Sequence, residues 1–225
     1  MILSDSAILK AIDDYAIRIE PFDRQNLGGN SYDVHLAETL MTYQRPARRD
    51  HDNLPIWGTF APLDCKMAPT AVEHTIPPEG FVLEPGKLYL GATREWTATY
   101  KHVPYVDGRS SVGRMGIRIH ATAGRGDVGF EGSFTLEIDV IEPVRIYAGM
   151  RIGQLTYHTV EGEVLSPYAT KATGSYKDTP HGSKPVPSAL WKSFEQKEAK
   201  PAYDCMDPDC TGPEDPRHDP PRGSR

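Results

Sequence analysis

The residues best suited to chemistry lie between positions 107 and 137, in DGRSSVGRMGIRIHATAGRGDVGFEGSFTLE. Within it, Gly108-Arg109-Ser110-Ser111-Val112-Gly113-Arg114 combines small residues, two hydroxyls and two guanidiniums. Glycines let backbone N–H groups approach a phosphate, and arginines grip its oxygens through paired, charge-assisted hydrogen bonds. The same composition also suits a solvated turn, so the segment alone is a weak signal. It is not a P-loop, because G-x-x-x-x-G-K-S/T is absent, and no G-x-G-x-x-G fingerprint follows a strand here.

A second run, Thr122 to Gly132, is dense in glycine and reads as a hairpin-like turn between two strands. Such a turn can bring backbone donors and acceptors against a flat ring such as a pyrimidine. Asp127 within it suits either a sugar hydroxyl or simple turn formation. Immediately afterwards Phe134, Leu136, Ile138 and Val140 alternate with Thr135, Glu137, Asp139 and Ile141. That is the period of a half-buried strand, with Glu137 on the face opposite the apolar set.

These residues need a scaffold, and the sequence predicts a mainly β one. Strands are expected at Tyr32–Leu36, Phe81–Leu83, Leu88–Thr93, Gly116–Thr122, Phe134–Ile141 and Met150–Tyr157, separated by turns such as Glu84-Pro85-Gly86-Lys87 and Tyr147-Ala148-Gly149. A short amphipathic helix over residues 4–15 presents Ile8, Leu9, Ala11 and Ile12 behind a Ser/Asp start signal. Residues 44–77 read as a long excursion from the sheet. Leu190, Trp191 and Phe194 can anchor a short helix, and the polar, proline-rich run after Lys200 is expected to be disordered.

With 225 residues, the chain suits one catalytic domain plus a tail. The 38% hydrophobic content with 20 Gly and 20 Pro favours a turn-rich β protein over a helical bundle. No stretch reaches the roughly 18 apolar residues of a membrane span, and the N-terminus has no leader pattern, so no membrane partner and a cytoplasmic location are expected. Cys65, Cys205 and Cys210 are odd in number and scattered, which argues against a disulfide framework and against structural zinc. The formal charge of −6 argues against a nucleic-acid partner, whereas a small anionic ligand needs only a few placed arginines.

Taken in order, MILSDSAILKAI, IEPF, NSYDVHL, LEPGKLYLG, GRSSVGRMG, TAGRGDVGFEGSFTLEI and AGMRIGQL resemble the dCTP deaminase family of the dUTPase superfamily over residues 1–176. The resemblance implies a distorted β-barrel, jelly-roll-like subunit with a short N-terminal helix, assembled as a homotrimer with active sites between subunits. It also implies hydrolytic deamination of a deoxycytidine nucleotide, dCTP to dUTP and ammonia on the route to dTMP, with Mg²⁺ held through the substrate phosphates. Residues 177–197 would form a C-terminal lid or arm, and 198–225 the tail.

By this resemblance Glu137 is the general base that activates water for attack on cytosine C4, cycling between base and acid. Ser110 and Arg114 position the water and tune that carboxylate. Arg109, Ser111, Val112 and Gly113 complete the phosphate-contacting segment, Thr135 and Leu136 flank the base, Asp127 meets the deoxyribose 3′-hydroxyl, and Tyr168 belongs to the closing segment. Zinc-dependent cytidine deaminases instead use H-x-E with P-C-x-x-C, and this chain has neither element, so no zinc is expected.

Two departures bear on the substrate. Ser175 and Thr179 stand where the family has a basic residue and Gln, with Lys171 or Lys177 as possible substitutes, which leaves a monophosphate or a modified cytosine open beside dCTP. Gly126 replaces an apolar residue, which suggests a looser loop under the sugar. Bifunctional members that also cleave dUTP to dUMP and diphosphate look much like this chain, and the sequence leaves that alternative open.

Overall fold

The computed structural model describes residues 1–171, 176 and 184–195, the side chains of 57–59 excepted. Ser175, Lys177 and Thr179 and the tail 198–225 lie outside the described residues. The N-terminal helix α1 (Asp5–Asp13) starts where the sequence signals it, with the Ser4 side chain accepting from the Ala7 N–H and Ile8 and Ala11 buried against the core.

Strands follow in the order β1 (Ile17–Glu20), β2 (Tyr32–His35), β3 (Thr39–Tyr43), β4 (Ala47–Arg49), β5 (Pro55–Phe60), β6 (Ala71–Thr75), β7 (Phe81–Leu83), β8 (Tyr89–Ala92), β9 (Trp96–Thr99) and β10 (His102–Gly108). A short helical turn α2 (Ser110–Gly113) leads to β11 (Ile117–Arg118), β12 (Glu131–Gly132), β13 (Thr135–Val140), β14 (Val144–Ile146) and β15 (Arg151–Thr159), and α3 (Lys192–Glu195) is the last element among the described residues.

Every described pairing is antiparallel. The main sheet runs β11-β13-β8-β3-β6; β10-β15-β2 and β1-β9-β12 form three-stranded sheets, and β14-β7 and β4-β5 form pairs. These sheets wrap one core, with Tyr32, Leu36, Leu40, Leu83, Leu136, Ile138, Ile152, Leu155 and Tyr157 fully buried, without closing into a continuous barrel. None of the described helices is long and apolar enough to cross a membrane.

Three local readings need correction. The strand expected over Gly116–Thr122 is only Ile117–Arg118. The excursion of residues 44–77 is not loop throughout: β4 and β5 form a hairpin of their own, and β6 rejoins the main sheet against β3. The glycine-dense run is not a hairpin, because β11 pairs with β13 while β12 pairs with β9, so the chain crosses from one sheet to another.

Candidate active site

β13 shows the alternation that the sequence predicts. Phe134, Leu136, Ile138 and Val140 are buried, and Thr135, Glu137 and Asp139 are partly exposed on the opposite face. The backbone fixes Glu137 on both sides: it lies opposite Leu90 on β8, and its N–H donates to the Ile119 carbonyl at 3.0 Å.

The Glu137 side chain is held by one oxygen. Oε2 accepts the Ala121 N–H at 3.2 Å and lies 3.1 Å from His120 Nδ1. Among the described residues Oε1 has no hydrogen-bond partner, and the Glu137 side chain keeps 35% of its exposure against 13% for His120. A carboxylate fixed at one oxygen and open at the other is pre-oriented for proton transfer to a small molecule. Sequence reasoning missed His120 and Ala121. Their contact depends on β11 delivering the chain beside β13, and IRIH in the sequence reads as an ordinary strand end.

The serine/arginine segment sits elsewhere. Gly108 ends β10, Arg109 precedes α2 in an extended conformation, and buried Val112 pins the turn to the core. Ser110, Ser111, Gly113 and Arg114 are exposed. Among the described residues, no hydrogen bond or ion pair within one chain joins Ser110 or Arg114 to Glu137. Arg109 Nε pairs with Asp33 Oδ1 at 3.1 Å, and Arg151 approaches the other Asp33 oxygen at 3.9 Å. Asp33, in the NSYDVHL run, is thus a positioning group for the arginine that sequence reasoning named without its partner.

The glycine-dense run packs along β10. Val106 N–H donates to the Gly124 carbonyl at 2.7 Å and Gly126 N–H to the Pro104 carbonyl at 2.8 Å. A Cβ on Gly126 would lie 2.9 Å from Pro104 Cγ and 3.4 Å from the Phe134 ring. Glycine at 126 therefore marks close packing, and the expected looseness is not found.

Asp127 is exposed, and Tyr168 is brought beside it: Tyr168 N–H donates to the Val128 carbonyl at 2.7 Å and its ring lies 5.9 Å from that of Phe130. Burial pushes the Tyr168 phenol above its ordinary value, partly offset by the Tyr176 N–H it accepts, and Asp127 adds to the rise.

Residues 184–189 cross the Glu137 face of the main sheet. Val186 N–H donates to Thr135 Oγ1 at 3.0 Å, Lys184 pairs with Glu73 at 2.8 Å, and Ser188 N–H donates to the Tyr43 hydroxyl at 2.9 Å. The register of β13, β8, β3 and β6 puts Thr135, Tyr43 and Glu73 on one face with Glu137. Leu136 is fully buried by its side chain, so only its backbone can meet a ligand. Among the described residues, the only cluster of side chains able to hold a metal is Asp50, His51 and Asp52, in the exposed turn between β4 and β5 rather than near β13.

Residues 2–160 match the family model described as dCTP deaminase-like. The chain belongs to the dCTP deaminase family. A "dCTP deaminase, dUMP-forming" of Leptospira biflexa serovar Patoc is 45% identical over 197 residues, covering 88% of this chain and all of that protein. One of Clostridium botulinum strain Alaska E43 is 42% identical over 196 residues, covering 87% and 100%. Among solved structures, the 2′-deoxycytidine 5′-triphosphate deaminase of Agrobacterium tumefaciens superposes with a TM-score of 0.50 at 21% identity, over 70% of this chain and 48% of that one. This chain thus spans about half the length of that protein, and the likeness bears on the fold alone.

Proposed function

We propose that this chain deaminates dCTP hydrolytically with Glu137 as the general base, and then carries the product to dUMP. The observation that carries the reading is the Glu137 carboxylate, tied at Oε2 and without a partner at Oε1 among the described residues, on an otherwise packed strand. Water gives a proton to Glu137 as its oxygen bonds to C4, and the carboxyl passes that proton to N3. The same carboxylate then takes the proton of the C4 hydroxyl and delivers it to the amino group. The C4–N bond breaks, ammonia leaves, and the carbonyl of dUTP remains.

Ser110 and Arg114 come to this carboxylate from a second copy. Their exposure on the α2 turn supports that arrangement, as do the apolar Met115 and Ile141 left exposed on a turn where Ile141 N–H donates to the Gly116 carbonyl at 3.0 Å. A closed homotrimer repeats this head-to-tail contact three times. Arg109, Ser111 and Gly113 take the phosphates, with Val112 anchoring the turn beneath them. Thr135 and the Leu136 backbone flank the base, and Asp127 and Tyr168 flank the sugar.

Mg²⁺ enters with the triphosphate. The donor set fits such a cation better than a protein-caged one, since the carboxylate next to Arg109, Asp33, is paired with arginine. The second step, water attack on dUTP to give dUMP and diphosphate, is supported by the relatives at 41–45% identity, which are named dUMP-forming. Asp127 is the group placed to assist it.

Incubation of the protein with dCTP, dCMP and dUTP plus Mg²⁺, following ammonia, diphosphate and nucleotides, tests both steps. Ammonia and diphosphate from dCTP are expected. Failure to release ammonia from any cytosine nucleotide refutes the deaminase, and ammonia without diphosphate refutes the second step.

A further inference from the structure

We infer that His120 is a positioning residue for the reaction: through its Nδ1–H it holds Glu137 Oε2, so that Oε1 alone exchanges protons with the water and the pyrimidine. The inference rests on Glu137 being the base, and it follows from the hydrogen bonds around that carboxylate.

Oε2 accepts a backbone donor, the Ala121 N–H at 3.2 Å, whose proton cannot be reassigned. His120 Nδ1 lies 3.1 Å from the same oxygen, and His120 Nε2 is buried with no partner among the described residues. Two neutral arrangements of the ring compete, and a doubly protonated ring would keep the Nδ1–H while stranding a buried donor at Nε2. If Nδ1 carries the proton, Oε2 accepts twice, the carboxylate is ionised, and the orphan at Nε2 is a lone pair. If Nε2 carries it, a buried N–H lacks an acceptor, and Nδ1 faces Oε2 with no proton between them unless the carboxyl is protonated there. A neutral ring has one donor and one acceptor, and an unpaired buried donor is the rarer and costlier orphan. The geometry therefore selects the Nδ1–H ring beside an ionised Glu137.

This divides the labour between the two oxygens. Oε2 has two partners, a backbone amide and a ring that is itself 13% exposed. A proton taken from water goes to Oε1, the oxygen without a partner among the described residues, and is handed on from there. Rotation of the carboxyl, which would carry the proton away from the substrate, requires two hydrogen bonds to break at once.

Three measurements test the role. Long-range ¹H–¹⁵N correlation spectra of the wild-type protein, with His120 assigned by its loss in His120→Ala, should show the Nδ1–H pattern; an Nε2–H ring overturns the inference. His120→Ala should lower kcat about 100-fold, the scale of a misplaced catalytic group, with KM for dCTP within about threefold. His120→Asn puts an amide N–H where Nδ1–H was and should recover kcat to within about tenfold of wild type. An unchanged kcat in His120→Ala, a loss confined to KM, or a folded His120→Asn no better than His120→Ala overturns the role. Ammonia release by the wild type together with an Nε2–H ring rejects His120 alone, whereas no ammonia from the wild type rejects the reading of the whole site.

Discussion

Among the described residues there are two glutamate–histidine pairs, and they are built for opposite ends. Glu95 is 1% exposed, and both its oxygens are spent on one residue: Oε2 accepts the His35 N–H at 2.8 Å and Oε1 meets His35 Nδ1 at 2.6 Å. Glu137 spends one oxygen on its own chain and leaves the other open. Both sit on or beside β-strands with a histidine as partner, so residue type does not distinguish them. The difference is access: a buried carboxylate with both oxygens hydrogen-bonded can fasten β2 to the β8–β9 turn, but it has no oxygen open to a substrate.

Breaking each pair should therefore damage different properties. Glu137→Gln is expected to lower ammonia release more than about 1,000-fold, the upper part of the range for a lost general base. Because this side chain is half-open, its thermal unfolding should stay within about 0.5 kcal/mol of wild type. Glu95→Gln is expected to do the reverse. Loss of a buried charged partner costs about 3–5 kcal/mol in chemical denaturation, while kcat of the remaining folded enzyme stays within a few-fold. Equal loss of activity in both variants would remove the distinction.

What the open oxygen of Glu137 faces can be asked by mixing. Neither Glu137→Gln nor Arg114→Ala alone should deaminate. Unfolded and refolded together in equal amounts, they should recover about a quarter of wild-type activity, because each site draws its glutamate from one copy and its arginine from another. No recovery in properly assembled mixtures would place both groups in a single chain.

Smaller effects test the frame around the open pair. Gly126→Ala pushes a methyl group against Pro104 and Phe134 and should cost about 1–3 kcal/mol on denaturation, as overpacking does. A neutral or stabilising result would mean that the loop yields easily. Thr135→Val removes the acceptor for Val186 N–H and should lower protection of that amide against hydrogen exchange by about 1 kcal/mol, with little effect on global stability. Unchanged exchange there would detach residues 184–189 from the Glu137 face.

How much of this could be read beforehand follows the range of the forces involved. The Ser4 cap and the Phe134–Val140 alternation are local, and both are where the sequence places them. β10 escaped notice because Pro104 interrupts HVPYVDG; the proline has no N–H to give, yet its carbonyl accepts from Gly126 and the strand still pairs with β15. β9, buried at all four positions, has no alternation to betray it, and β6 is a strand only because β3 pairs with it. In the site, Glu137 was identifiable through its motif and its face of the strand. His120, Ala121 and Asp33 were not, since each acquires its role from a strand distant in sequence, and Ser110 and Arg114 were named although no hydrogen bond or ion pair among the described residues joins them to Glu137.

The strict alternation of β13 also limits how this gene can vary. Between Gly132, tied to β9, and Leu136, opposite Gly91, there is no slack to absorb an added or lost codon. A single-residue insertion there would turn every side chain of the strand over, sending a carboxylate into the core and a leucine toward solvent. The β4–β5 hairpin, by contrast, can lengthen or shorten while the β13 register is kept. Length variation among descendants of this sequence should accumulate in that hairpin and in the C-terminal run, and be purged from the few residues before Glu137.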